Sequence, residues 1–200
     1  MAKPTYYNLE KDKRDRLIDA CMEEFSLYTF SDASINRIIK RTEISRGSFY
    51  QYFEDKEDCY MEMLGIIAQE KYRIFKDVAQ AESNNVFEAY LNMLKQVQIW
   101  MEAQPRYYKI GILMELDKSN FIQKLVKQNP GMMDYFLSLI RRDQANGIIR
   151  PEVDPQLLSD MLIGINQKIL MEHFANKDYA KMIQTSQAVL ELLQKGTMVR

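Results

Sequence analysis

Glycine and proline are scarce in this chain, 7 and 5 among 200 residues. So few breakers argue against a fold of many short strands and tight turns, and the abundant Leu, Ile, Met, Lys, Glu and Gln favour an all-α fold instead. Cysteine is nearly missing. Cys21 and Cys59 form no CxxC pair, which leaves neither a disulfide framework nor a zinc spacing and makes the reducing cytoplasm the expected compartment. His173 is the only histidine, too few ligands for a metal site with either cysteine, so no metal and no cofactor is expected. The net charge is only -1, so no overall positive field draws phosphates to the molecule and any basic site must be local. Long apolar runs are also lacking. Charged residues interrupt each hydrophobic stretch well short of the roughly 18 residues a membrane span needs, and "MAKPTYYNLEKDKRDR" has no apolar signal region. The expected protein is neither exported nor membrane-spanning. With 46% hydrophobic residues it can still bury a sizeable core.

What is present is helical periodicity. Leu17, Ile18, Cys21, Met22 and Phe25 recur at three- and four-residue steps in a first helix from Leu9 to about Tyr28, with Asn8 as its expected cap. Ser34 is placed to cap a short second helix that turns Ile35, Ile38 and Ile39 inward and Arg37, Lys40 and Arg41 outward. "TEI" joins it to a third helix capped by Ser45, and Asp55 can cap a long fourth from Lys56 to about Ala79. Six further helices follow, ten in all. They run from Val86 to Ala103, from Pro105 to Asp117, from Ser119 to Gln128, from Gly131 to Asn146, from Pro155 to about Phe174 and from Tyr179 to about Lys195. "NPG" and Gly147 read as stops, Gly196 as the last stop, and "IIRPEVDP" as a linker. No alternation of the strand type, internal repeat or low-complexity tract interrupts this pattern.

The third helix carries the densest chemistry. In "TEISRGSFYQYFEDKED" the serines, arginine and glycine at 45–48 run into Phe49, Tyr50, Tyr52 and Phe53. Phe49 and Phe53 are four residues apart, so they share a face that can pack on Ile38, Ile44 and Phe25. The other faces present Arg46, Ser48, Tyr50, Gln51 and Tyr52, all able to hydrogen-bond and none a carboxylate. Arg46 could reach a guanine edge bidentately, Gln51 could read a base, and the tyrosines and Lys56 could hold phosphates. Arg37, Lys40, Arg41 and Arg46 face only Glu43 in charge, a basic patch in a neutral protein. The competing reading is ordinary core, because short helix-turn-helix patterns recur in all-α domains and aromatic clusters are usually buried.

The stretch from about Leu9 to Leu64 resembles the DNA-binding domain of the TetR family of transcriptional regulators. The resemblance rests on Ile18 and Ala20 through Phe25, on Ser34, Ile35 and Ile38, and above all on "ISRGSFYQYFEDKED", which follows the family's Val-Ser-x-Gly-Thr-Leu-Tyr-x-His/Tyr-Phe-x-x-Lys-Glu pattern. It implies base or phosphate contacts from Ser45, Arg46, Gly47, Ser48, Tyr50, Gln51, Tyr52 and Lys56, with Ser34 holding a backbone phosphate. Ile39 and Thr42 stand where the family often has Ala, and Glu43 where it usually has Gly, a residue that accepts the positive φ glutamate resists. The implied layout is a helix-turn-helix domain over residues 1–54 and an effector-binding and dimerisation domain over 55–200, with 55–80 as the connecting helix. The resemblance further implies a homodimer on a palindromic double-stranded operator, repressing until a small effector releases it.

The C-terminal half agrees with this layout without identifying a ligand. Leu158, Met161, Leu162, Ile165, Ile169 and Leu170, like Val189, Leu190, Leu192 and Leu193, are too wide for one buried stripe, so a second buried face is expected. Trp100, Tyr107, Tyr108, Met114, Met132, Tyr135 and Phe136 are candidate linings for an apolar or aromatic effector, and each alone could equally be core. Catalysis finds little support: Cys21 lies on an apolar stripe, and no phosphate-binding glycine loop or paired carboxylate appears. The alternative from another class is a helical protein-interaction or ligand-sequestering module whose helix-turn-helix no longer binds DNA.

Overall fold

The computed structural model describes residues 2–80, 82–128, 133–176 and 178–199. Eleven helices are found among these residues: α1 Pro4–Tyr7, α2 Lys11–Leu27, α3 Ile35–Thr42, α4 Arg46–Tyr52, α5 Lys56–Gln80, α6 Val86–Ala103, α7 Pro105–Leu116, α8 Asn120–Gln128, α9 Met133–Ala145, α10 Pro155–Asn176 and α11 Tyr179–Thr197. Their only β feature is an isolated antiparallel bridge between Ile149 and Met198. The ten expected helices are thus joined by α1, which the apolar periodicity is too short to reveal. Pro4 starts it, its ring fixing a helical φ where no N–H is needed. Asn8 therefore closes α1 instead of capping α2, its N–H bonding to the Pro4 carbonyl, and α2 begins after Glu10 without a side-chain cap.

Other ends follow the sequence more closely. Ser45 Oγ accepts from the Ser48 amide at 3.0 Å, and Asp55 Oδ1 accepts from the Asp58 amide at 2.8 Å while Asp58 reaches back to the Glu54 amide at 3.1 Å. Ser45 is a simple N-cap, and Asp55 with Asp58 fixes the start of α5 by bonds in both directions. Gly147 takes φ +70, letting the Ile148 amide turn back to the Asp143 carbonyl at the end of α9. Gly196 does not stop α11, which continues through Thr197, because the Met198 amide still finds the Gln194 carbonyl. The "IIRPEVDP" segment is more than a linker: Arg150 donates to the Thr197 carbonyl and Val199 to that of Ile148, pairing it with the C-terminal end. The "NPG" stop and Met132 lie outside the described residues.

Two compact units arise, Met1–Arg73 with Met101–Gln128, and Ile74–Trp100 with Asn129–Arg200. In the first, α2, α3, α4 and the start of α5 bury Leu17, Cys21, Phe25, Ile38, Phe49, Phe53, Cys59 and Tyr60. Phe25, Phe30 and Phe121 all contact the Tyr60 ring, with centroids 4.8, 5.2 and 6.3 Å away, so α8 shares this core. Polar ties reinforce it. Asp117, buried after α7, accepts from the Ser31 amide at 2.7 Å, and Arg106 reaches Asp19 at 2.8 Å. In the second unit Val86, Phe87, Tyr90 and Leu94 of α6 pack with Phe136 and Ile140 of α9, Leu158 and Leu162 of α10 and Leu190 of α11. Buried Asp143 accepts from the Val86 amide and from Arg142, fixing the start of α6. Leu157, Met161 and Ile165 form a neighbouring exposed stripe on α10, and Leu192 is exposed on α11.

Candidate nucleic-acid interface

α3 and α4 are joined by Glu43, Ile44 and Ser45, and the corner is made by Glu43 itself, which adopts φ 56 and ψ 24. A glutamate thus takes the left-handed conformation that glycine would take freely. The residues on either side leave it little choice: Thr42 Oγ1 bonds the Ile38 carbonyl at 2.9 Å and Ser45 caps the next helix. Left-handed backbone costs a non-glycine residue about 1 kcal/mol or more. Glu43→Gly is therefore expected to raise the melting temperature by about 2 °C once the greater unfolded-state freedom of glycine is subtracted. Calorimetry checks this, and a lower melting temperature would show that Glu43 makes compensating contacts.

The two sides of α4 divide as the spacing predicts. Phe49 and Phe53 are wholly buried, their rings 5.3 Å apart. Arg46, Gly47 and Gln51 are exposed, Ser45 is exposed at the cap, and Ser48, Tyr50 and Tyr52 are half-buried. Arg46 is held rather than loose: Nη1 donates to Asn36 Oδ1 at 2.8 Å, Nη2 to the Tyr50 hydroxyl at 3.4 Å, and the guanidinium carbon lies 5.6 Å from the Tyr50 ring centre. Asn36, on α3, was not among the expected site residues; only its position on the outward face of that helix hints at it.

Three of the expected residues are held by partners that the local sequence does not reveal. Arg37 is not part of a free basic patch, because Nε and Nη2 bond the fully buried carboxylate of Glu24 at 2.8 and 2.6 Å. A carboxylate thirteen residues upstream on another helix leaves no local sequence signal. Ser34 occupies the N-cap position of α3, but its side chain makes no capping bond; Glu24 accepts its amide at 2.7 Å instead. Lys56 donates to the carbonyls of Ser31 and Ala33 at 3.2 and 2.9 Å and lies 4.7 Å from the Phe30 ring centre. Burial lowers its pKa, nearby carboxylates opposing the shift. Lys40, Arg41 and Arg46 remain exposed.

Sequence reasoning also missed what lies beyond the C-terminal end of α4. The Lys3 amide donates to the Tyr52 carbonyl at 2.8 Å, Lys3 Nζ to that of Tyr50 at 2.9 Å, and Thr5 Oγ1 to that of Gln51. The expected effector residues fall in both units. Tyr107, Tyr108 and Met114, half-buried, belong to the first, whereas Trp100, Tyr135 and Phe136 belong to the second. Phe136 is fully buried against Tyr90, with ring centres 4.8 Å apart. Cys21 and Cys59 are buried free thiols in the first unit, 3.5 Å apart, and burial pushes the Cys59 thiol well up. No cluster of three His, Cys, Asp or Glu suited to a metal ion occurs among the described residues. None of the described helices is long and apolar enough to cross a membrane.

A cap-and-corner pair of short helices, with one side of the second buried and Arg46 and Gln51 exposed, forms a helix-turn-helix of the kind that binds DNA, in a chain whose named elements among the described residues are all helices. Residues 17–63 match the family model described as bacterial regulatory proteins, tetR family, so over this stretch the chain carries a DNA-binding domain of the kind found in that family. It is 22% identical over 199 residues to the uncharacterized HTH-type transcriptional regulator YdgC of Bacillus subtilis, covering 94% of this chain and 97% of that one. A TetR family transcriptional regulator from Chloroflexus aurantiacus is 26% identical and superposes with TM-score 0.77 over 100% of both chains. The transcriptional regulator FadR of Bacillus subtilis, solved in complex with stearoyl-CoA, is 19% identical, with TM-score 0.72 over 91% of this chain and 98% of that one.

Proposed function

We propose that the chain is a repressor that binds a palindromic operator as a homodimer, inserts α4 into the major groove, and is released by a small apolar or aromatic effector. The exposed, pre-oriented Arg46, with Gln51 exposed on the same helix, carries this reading. A guanidinium held near the start of a helix matches the paired acceptors of guanine, and an amide matches adenine. Ser45, Ser48, Tyr50, Tyr52 and the Gly47 backbone flank it as phosphate contacts. Among the described residues beyond its own helix backbone and chain neighbours, Ser45 Oγ at 3.7 Å is what lies within 4 Å of the space a Gly47 Cβ would fill, which leaves room for a phosphate to approach that backbone. Ser34, at the start of α3, is a further phosphate contact. Lys56 serves more as the tie that holds the α2–α3 loop, and its long-range charge adds to the field.

The exposed Leu157, Met161 and Ile165 of α10 and the exposed Leu192 of α11 support self-association through those helices. Two copies of α4 must then lie about 34 Å apart, or at a related groove spacing, to enter successive major grooves. Similarity to a FadR that was solved with stearoyl-CoA makes that acyl thioester the first effector to try. An effector works by binding better to the dimer with the wrong head spacing, and linkage requires DNA to weaken it equally. Fluorescence anisotropy with DNA selected by the protein from a randomised duplex pool, at two salt concentrations and with stearoyl-CoA and other apolar ligands, tests this. Tight binding that weakens with salt and with an effector is the expected result. Salt-insensitive binding would favour the protein-interaction module, and unchanged DNA affinity for every compound that binds the protein would sink the switch.

A further inference from the structure

The seven residues of α4 form a helix of barely two turns, too short to hold its own direction, so its pose depends on what grips its ends. Ser45 grips the first end. At the other end an isolated helix leaves its last carbonyls without partners, and here three consecutive ones are taken by a single remote segment. Tyr50, Gln51 and Tyr52 accept from Lys3 Nζ, the Thr5 hydroxyl and the Lys3 amide respectively. The positive charge of Lys3 sits where the helix dipole is negative, and it also pairs with Glu54 at 2.7 Å.

That segment is itself held from three directions. Tyr6 is buried with its ring 5.1 Å from that of Phe53, the residue that ends α4. Tyr7 donates to Glu62 Oε2 of α5 at 2.8 Å, a bond that, more than burial, pushes its phenol up to about 12. Arg14 of α2 donates to the Tyr7 carbonyl at 3.2 Å. Residues 3–7 therefore tie the end of α4 to both α2 and α5.

We propose that the segment from Lys3 to Tyr7 is a positioning clamp for α4 and that sequence-specific DNA binding, as distinct from general attraction to DNA, requires it. The inference rests on the reading of α4 as the DNA-reading helix. Base contacts demand alignment within fractions of an ångström, whereas phosphate attraction tolerates a tilted helix, so a loosened clamp costs specificity first.

The probe is the duplex most enriched by the wild-type protein from a randomised pool, set against a scrambled duplex of the same length and composition. Lys3→Met removes the Nζ donor and leaves Tyr6 in its socket. Affinity for the selected duplex is expected to fall about tenfold per protomer, the worth of a charge-assisted bond, with binding to the scrambled duplex and the salt slope unchanged. Lys3→Arg, which can still donate, is expected to restore it. Thr5→Val, an uncharged change at the same clamp, is expected to lower the same specificity ratio by a smaller factor. Equal losses on both duplexes with a shallower salt slope would make Lys3 a phosphate contact and overturn the proposal. Unchanged binding by both variants would overturn it too. Failure of the wild type to enrich any duplex would instead overturn the DNA-reading assignment and the clamp with it.

Discussion

Arg46→Ala is expected to weaken binding to a selected operator at least ~30-fold, because each lost guanidinium–base contact is worth about 1–3 kcal/mol and a dimer loses two. The melting temperature should move by no more than about 1–2 °C, the range of an exposed substitution in a protein of this size. The two expectations together are what distinguish a contact from a strut. Arg46 is exposed, its partners Asn36 and Tyr50 are themselves at the surface, and alanine suits the first turn of a helix well. Arg46→Lys sharpens the test: it keeps the charge, and so the salt slope, while losing the planar fork that reads two acceptors at once. Anisotropy titrations at two salt concentrations, with calorimetry on the same samples, give all of these quantities. A fall in melting temperature as large as the loss of binding would move Arg46 from the interface into the fold.

Much of the α4 region was legible because local spacing alone decides it. Phe49 and Phe53 lie four apart and are buried, Arg46 and Gln51 are exposed, and Ser45 caps as its hydroxyl permits. The long helices were legible for the same reason, since apolar residues repeat over many turns in α5, α6 and α10. What was not legible depends on residues distant in sequence. Glu24 claims Arg37 and the Ser34 amide across ten or more positions, and Lys3 reaches the Tyr50 carbonyl from 47 residues away. No local rule assigns a charged side chain to a partner on another helix, so a basic patch counted from sequence overstates the charge left for DNA. Glu43 shows the converse case. Its φ of 56 opposes its own preference, and the helices on either side impose it.

Removing Arg37 is expected to have the largest effect on stability, and to act through Glu24. The Glu24 side chain is fully buried; Oε1 accepts from Arg37 and from the Ser34 amide, while Oε2 has no hydrogen-bond partner among the described residues. Arg37 also donates to the Asp32 carbonyl at 2.7 Å and lies 4.0 Å from the centre of the Tyr28 ring, so it joins the end of α2, the loop and α3. Arg37→Ala leaves the buried Glu24 carboxylate without its cation, a loss moderated by the 44% exposure of the Arg37 side chain. The melting temperature is expected to fall by about 5–15 °C. DNA binding should weaken along with it, because α3 positions Asn36 and, through the Glu43 corner, α4. Calorimetry on a double-mutant cycle separates the buried charge from lost packing. Glu24→Gln/Arg37→Ala, in which the uncompensated charge is gone, is expected to melt above Arg37→Ala alone. If it melts no higher, the loss comes from the Tyr28 and Asp32 contacts, and Glu24 is not what Arg37 serves.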